Sequence, residues 1–307
     1  MRENRTSGSA RGAPGNRCPY RGCRQETIQL RVTGVTPQIW NSIMESNEML
    51  PAARPSPHPI LLPFLAILLL TLLTQLASAA YGVSAAAPLP DTPERSLQST
   101  LIVGVIVLCV LTIPSAGLGL LLGRRVGLGA PLLTDLLERR AGAGAKLRRD
   151  AMLAIPLGFG IGVIVVLTFL ASAPYLPPGW PAFGHRGAMA GLLLSVGSAV
   201  AEETWIRLGV MTILAWAGAR LLGHSEIRPI VAWPANVLAA LAFGLIHLPI
   251  LVQNGLATPS TITATLLGNG IVGVLCGWLY WRRSLVAAIL AHFAVDLVLH
   301  VLTAIGS

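Results

Sequence analysis

The chain has 307 residues, 53% of them hydrophobic and only 11% charged, with a mean hydropathy of +0.68. Soluble domains carry roughly 25% charge, so this composition excludes an ordinary soluble enzyme. It indicates an all-α, polytopic transmembrane bundle. The net charge of +9 invites a nucleic-acid reading, but the arginines fall where membrane loops require them, and no nucleic-acid partner is expected.

Residues 1–58 are rich in Arg, Gly, Ser and Pro, show no apolar periodicity and read as a disordered tail. Glu3, Glu26, Glu45 and Glu48 argue against a mitochondrial-type presequence, and Met44 and Met49 are alternative starts just before the first apolar run. About seven apolar segments follow, near 60–80, 100–122, 151–173, 188–207, 235–252, 262–281 and 285–304. Each is long enough for roughly 30 Å of hydrocarbon. Three N-terminal spans over 59–187 therefore precede a four-helix core over 188–303. The first run ends in Ala77-Ser78-Ala79, which also fits a signal-peptidase site, but its length favours a retained helix. Residues 208–222, with Trp216 and Arg220, suit an amphipathic helix lying in the interface.

Lysine and arginine counts set the orientation. The N-terminal segment has eight, the 123–150 connection seven, the 208–234 stretch two, and Arg282 and Arg283 complete a set of 19 in alternate connections. The other connections hold two, Arg95 and Arg186. The expected topology has the N-terminus in the cytoplasm and the C-terminus outside. Gly158-x3-Gly162, Gly119-x3-Gly123 and Gly273-x3-Gly277 offer small faces for close helix approach. Cys18 and Cys23 form one loose pair, and Cys109 and Cys276 read as packing residues.

Against this apolar background the polar groups are conspicuous. Glu202, Glu203 and Arg207 sit in the fourth apolar run, where charges are expensive and usually face a protein interior. Residues four apart share a helix face, so Arg207 can pair with Glu203 while Glu202, turned about 100° away, points into a cavity. Phe243-x3-His247 lies on the fifth span and His292-x3-Asp296 on the seventh, with Asp296 one turn from His292 and able to orient its ring. Glu202, His247 and His292 all fall roughly 8–18 Å below the same surface at 1.5 Å per residue, as a water-filled cavity open to the cytoplasm would require. His300, near the outer end, is expected outside this cluster.

In order, Glu202-Glu203-x3-Arg207, Phe243-x3-His247 and His292-x3-Asp296 resemble the three motifs of the CAAX-protease and bacteriocin-processing family, also called the Abi family. These are intramembrane proteases of the prenyl-protein endopeptidase type. The stretch 277–285 resembles the family too, and the likeness covers about 188–303. Ile206 and Leu208 stand where the family often has Phe and Gly, and Asp296 where it often has Asn. The resemblance implies a Glu202 general base, a His247 that helps to position water, and His292 with Asp296 on the oxyanion side. It also implies that Arg207, Glu203 and Phe243 support the site. Glu202, His247 and His292 are also a hydrolytic zinc set with an open position, so zinc stands as an alternative to a metal-free site. The expected partners are membrane lipid and a protein or peptide substrate, and no feature sets an oligomeric state. Two other readings compete: a non-catalytic scaffold or self-immunity protein on the same fold, and a proton-relaying transporter. The transporter reading lacks a second copy of any motif.

Overall fold

The computed structural model describes residues 60–80, 97–178 and 180–306. The Arg-rich tail expected over 1–58, Cys18 and Cys23, and most of the connection after the first span lie outside these residues.

The elements are helices, and no strand occurs among the described residues. Helix α1 is Leu61–Ala80. Helix α2 runs Leu97–Val107, passes through a π-helical turn Leu108–Thr112 and continues over Ile113–Gly123. A short α3, Pro131–Leu137, precedes the 30-residue α4, Ala143–Ser172. Helix α5 is Ala188–Glu203, a π segment Thr204–Met211 and Thr212–Leu221. Then come α6 (Pro229–Leu245), α7 (Leu248–Gln253), α8 (Pro259–Arg282) and α9, which is Leu285–Asp296 followed by a π segment Leu297–Leu302 and a last turn Thr303–Ile305.

The starts follow local chemistry. Pro131, Pro229 and Pro259 open their helices, where a missing N–H costs nothing. Thr258 and Thr261 form a capping box on α8, and the Ser284 hydroxyl caps α9 by accepting from Ala287 N. Helices α6 and α8 thus begin ahead of the apolar runs read from the sequence, and α4 does so as well, from Gly142 and without a side-chain cap.

Five stretches are long and apolar enough to cross a membrane: Ile102–Gly123, Ala143–Tyr175, Pro229–Gln253, Pro259–Arg282 and Leu285–Ile305. Over Leu61–Ala77, α1 is apolar but shorter. Helix α5 has membrane length, but its centre carries Glu202, Glu203 and Arg207. All seven expected segments are helical, and five of them have the length and apolarity of a membrane span.

Two expectations are corrected. Residues 208–222 do not form a separate surface helix. They prolong α5, and Met211, Ala215 and Ala219 are buried where α5 packs on α2 and α6. The 123–150 connection is not a plain loop either. It contains α3, anchored by the buried Leu132, and the first two turns of α4.

Helix α9 is the hub, lying against α4, α5 and α8. The small faces act as the sequence suggests. A Cβ on Gly158 would strike the Ala291 backbone of α9, and one on Gly162 would meet Val295 and Val298. Gly273 and Gly277 of α8 abut Ala240 and Asn236 of α6, and Gly119 of α2 abuts the Leu208 backbone in the π segment of α5. Such close backbones gain dispersion contacts that lipid cannot supply.

The basic connections meet at one end of the bundle. Ile227 N donates to Val126 O (3.2 Å), Gly129 N to the Tyr280 hydroxyl (2.9 Å) and Lys146 Nζ to Arg283 O (3.2 Å). The buried Asp150 accepts from Lys146 Nζ at 3.0 Å and from Ser284 Oγ at 2.7 Å, strapping α4 to the α8–α9 turn.

Candidate active site

The polar groups singled out in the sequence come from α5, α6 and α9. Glu203 and Arg207 are fully buried, one helical turn apart, and pair through Oε1 and Nη1 at 3.1 Å. Arg207 also donates from Nη2 to Gly273 O of α8 at 3.0 Å and lies 4.8 Å over the Phe243 ring of α6. One guanidinium thus ties together three helices, and the pairing offsets much of the cost of burying either charge.

Glu203 does more than pair. Its Oε1 lies 2.7 Å from His292 Nδ1 across the α5–α9 interface. A carboxylate held by a guanidinium is an acceptor, so Nδ1 carries the hydrogen and the ring is fixed with Nε2 facing the other way. There Nε2 meets Glu202 Oε2 and Asp296 Oδ2, each at 3.7 Å. Asp296 was the expected orienter of His292. The closer one is Glu203, because α5 packs beside α9 and presents its side chain at bonding distance.

Asp296 is steadied from α5. Ser198 Oγ donates to Asp296 Oδ2 at 2.6 Å. Sequence reading passed over Ser198, although it stands four residues before Glu202 and so shares its helical face. Side-chain exposure separates the two ends of the cluster: 19% for Glu202 and 10% for Asp296, against 0% for Glu203 and 1% for Arg207. The open side is therefore the Glu202–Asp296 side.

His247 lies within the fifth span, Pro229–Gln253, at a local break in the helix. Helix α6 stops at Leu245, and His247 occupies the break before α7. Its Nδ1 bonds to Phe243 O at 2.7 Å, one of the carbonyls that a helix end leaves without an intrahelical partner. The Phe243 ring stands edge-to-face with both imidazoles, His247 at 4.9 Å and His292 at 5.6 Å between centroids. Phe243 therefore spaces the two histidines. His300 lies a turn beyond Asp296, its backbone carbonyl against Gly191.

Both site helices change from α to π immediately after a site residue, α5 after Glu203 and α9 after Asp296. π segments are rare and often mark functional sites. The one in α5 is braced from outside. Thr212 Oγ1 donates to Arg207 O (3.0 Å) and lies 2.7 Å from the Tyr280 hydroxyl, while Trp205 Nε1 donates to Thr112 Oγ1 (2.9 Å).

Among the described residues, the group whose metal-ligating atoms lie within 4.8 Å of one another is Glu203, Cys276 and His292. This differs from the zinc set read from the sequence by having Glu203 for Glu202 and Cys276 for His247. Cys276, read there as packing, is fully buried beside the ion pair.

Residues 185–298 match the family model described as type II CAAX prenyl endopeptidase Rce1-like. The matched region runs from just before α5 into the π segment of α9 and contains every site residue named above. No curated protein and no solved structure matches the chain.

Proposed function

Through residues 185–298 the chain belongs to the CAAX-protease family, and from that premise we propose that it hydrolyses a peptide bond in a membrane-associated protein or peptide. Glu202 is the general base. It is the carboxylate of the cluster with the most open side chain, and it is not held by Arg207. It removes a proton from water as the oxygen attacks the scissile carbonyl, and returns a proton to the departing amine. His247, at the break in α6, helps to position that water. His292 presents Nε2 toward the same side, where the N–H of its charged ring can stabilise the developing oxyanion, with Asp296 beside it. Glu203, Arg207 and Phe243 hold this geometry without touching the substrate. No step in this scheme requires a metal.

The observation that carries the reading is the fixed imidazole. His292 is locked through Nδ1 by a buried, ion-paired carboxylate and faces two further carboxylates through Nε2. A scaffold needs no such preorganisation. We further propose that the open side faces the cytoplasm, from the gathering of 19 basic residues in alternate connections.

Glu202→Gln tests the function. Loss of the base should slow hydrolysis by about 10²–10⁴-fold while the folded protein persists in the membrane. The inactive form should retain its substrate, so crosslinking followed by mass spectrometry should identify a protein that the parent chain cleaves. Equal survival of every crosslinked partner with parent and Glu202→Gln chains would replace the peptidase reading with the scaffold one.

A further inference from the structure

Cys276 has no part in the proposed hydrolysis, yet its surroundings are unusual for a packing residue. It stands on α8 three residues after Gly273, whose carbonyl receives Arg207, and so it faces the Glu203–Arg207 pair. Its sulfur, a Glu203 oxygen and a His292 ring nitrogen lie within 4.8 Å of one another. Glu203 Oε1 is engaged by Arg207 and His292, but Oε2 is buried and has no hydrogen-bond partner among the described residues. The charges are also unequal. Glu202, Glu203 and Asp296 surround His292, with Arg207 as the guanidinium of the cluster. Such an excess of buried negative charge favours a cation.

We propose that Glu203, Cys276 and His292 form a binding site for a thiolate-seeking divalent ion of the zinc class, and that filling it switches the active site off. Carboxylate, thiolate and imidazole are a three-ligand set suited to zinc, leaving one coordination position open. A tetrahedral ion holds its donor atoms about 3.5 Å apart, so closing the set needs roughly 1 Å of side-chain movement. Oε2 of Glu203 supplies the oxygen, and Oε1 stays with Arg207. The Cys276 thiol proton leaves to water. The metal-bound His292 ring is neutral: Nδ1 gives its proton to water and takes the ion, and the hydrogen on Nε2 remains. There it faces Glu202 and Asp296, the carboxylate backing that metal-binding histidines commonly have. The ion enters from the Glu202–Asp296 side, where the cluster is least covered. Coordination replaces the Glu203–His292 hydrogen bond and removes the imidazole from service. This switching half rests on the proposed peptidase function; the binding half does not.

The test uses the full-length chain in detergent with Cys18, Cys23 and Cys109 changed to Ser, so that Cys276 is the sole remaining thiol of the four cysteines. Titration with cobalt(II) chloride should produce a thiolate-to-cobalt charge-transfer band that saturates at one ion per chain and is displaced by zinc. Cys276→Ser and Cys276→Ala should each abolish it. No band in the parent, or a band unchanged in both variants, overturns the site. Peptide hydrolysis provides the second measurement. Zinc should inhibit the parent, whereas Cys276→Ser should keep the basal rate and need at least roughly tenfold more zinc for half-inhibition, the floor set by outer-shell losses at known sites. Equal zinc sensitivity overturns the switch. Failure of every form to hydrolyse peptide removes the switch together with the peptidase reading, while the cobalt band decides the site independently.

Discussion

At the residue scale, the interactions legible in the sequence are those closed within one helical turn. Glu203 and Arg207 pair as their spacing demands, and His292 and Asp296 share a face. The Glu203–His292 bond joins residues 89 positions apart and depends on how α5 and α9 are rotated about their axes, which no local spacing encodes. Ser198 and Cys276 were missed for a related reason. A serine or a cysteine in an apolar run is ordinary until a partner helix brings a carboxylate to it. The buried pair allows a direct prediction. Arg207→Ala strands Glu203 without its counter-charge and should cost about 3–5 kcal/mol. It should lower the thermal denaturation midpoint in detergent as well as the activity, whereas Glu202→Gln should lower activity alone. An Arg207→Ala chain as heat-resistant as its parent would contradict this account of the pair.

At the element scale, apolar length located the rods but not their irregularities. The π segments of α2, α5 and α9, the break that exposes His247 and the prolongation of α5 to Leu221 occur in sequence that looks uniformly helical. Packing decides them: Leu208 is pressed against Gly119, and the Tyr280 hydroxyl reaches Thr212 beside the widened turn. The glycine faces, by contrast, were legible, since four-residue spacing of small residues has few other uses in a membrane helix. Two glycines of α4 separate packing from propensity. A side chain at Gly158 meets the backbone of Ala291, while at Gly160 nothing lies within 4 Å. Gly158→Val should therefore destabilise the bundle by about 1–3 kcal/mol through overpacking and push α9, with His292, out of place. Gly160→Val should change neither stability nor activity. Similar behaviour of the two variants in a detergent unfolding assay would argue against the α4–α9 contact.

For the whole molecule, composition was sufficient to exclude a soluble protein, and the ordering of three short motifs was sufficient to suggest the family. The substrate is not written in any of these features, because the site residues serve peptide chemistry in general. The charge pattern does predict an orientation. The connections carrying most of the basic residues are joined by hydrogen bonds at one end of the bundle, so they must lie on one side of the membrane together. A cysteine introduced at the exposed Arg139 should resist an impermeant thiol reagent added to intact cells and react once the membrane is opened. Labelling from outside would reverse both the topology and the cytoplasmic face proposed for the site.

The Glu203–Arg207 pair also bears on the order in which the protein is made. Both partners lie on α5, so they can neutralise each other as soon as that helix leaves the ribosome, before any later segment exists. Ser198 travels with them and waits for Asp296. Glu202 enters the bilayer with no partner on its own helix, and its imidazole neighbour is translated roughly 90 residues afterwards, a separation set by the chain itself. During that interval α5 holds one uncompensated carboxylate near its middle, for which insertion scales give a cost of about 2.5–3.5 kcal/mol. Newly inserted α5 is thus the stage of biogenesis at which a chaperone or a quality-control protease would find this chain most open to attack, and the arrival of α9 closes that window.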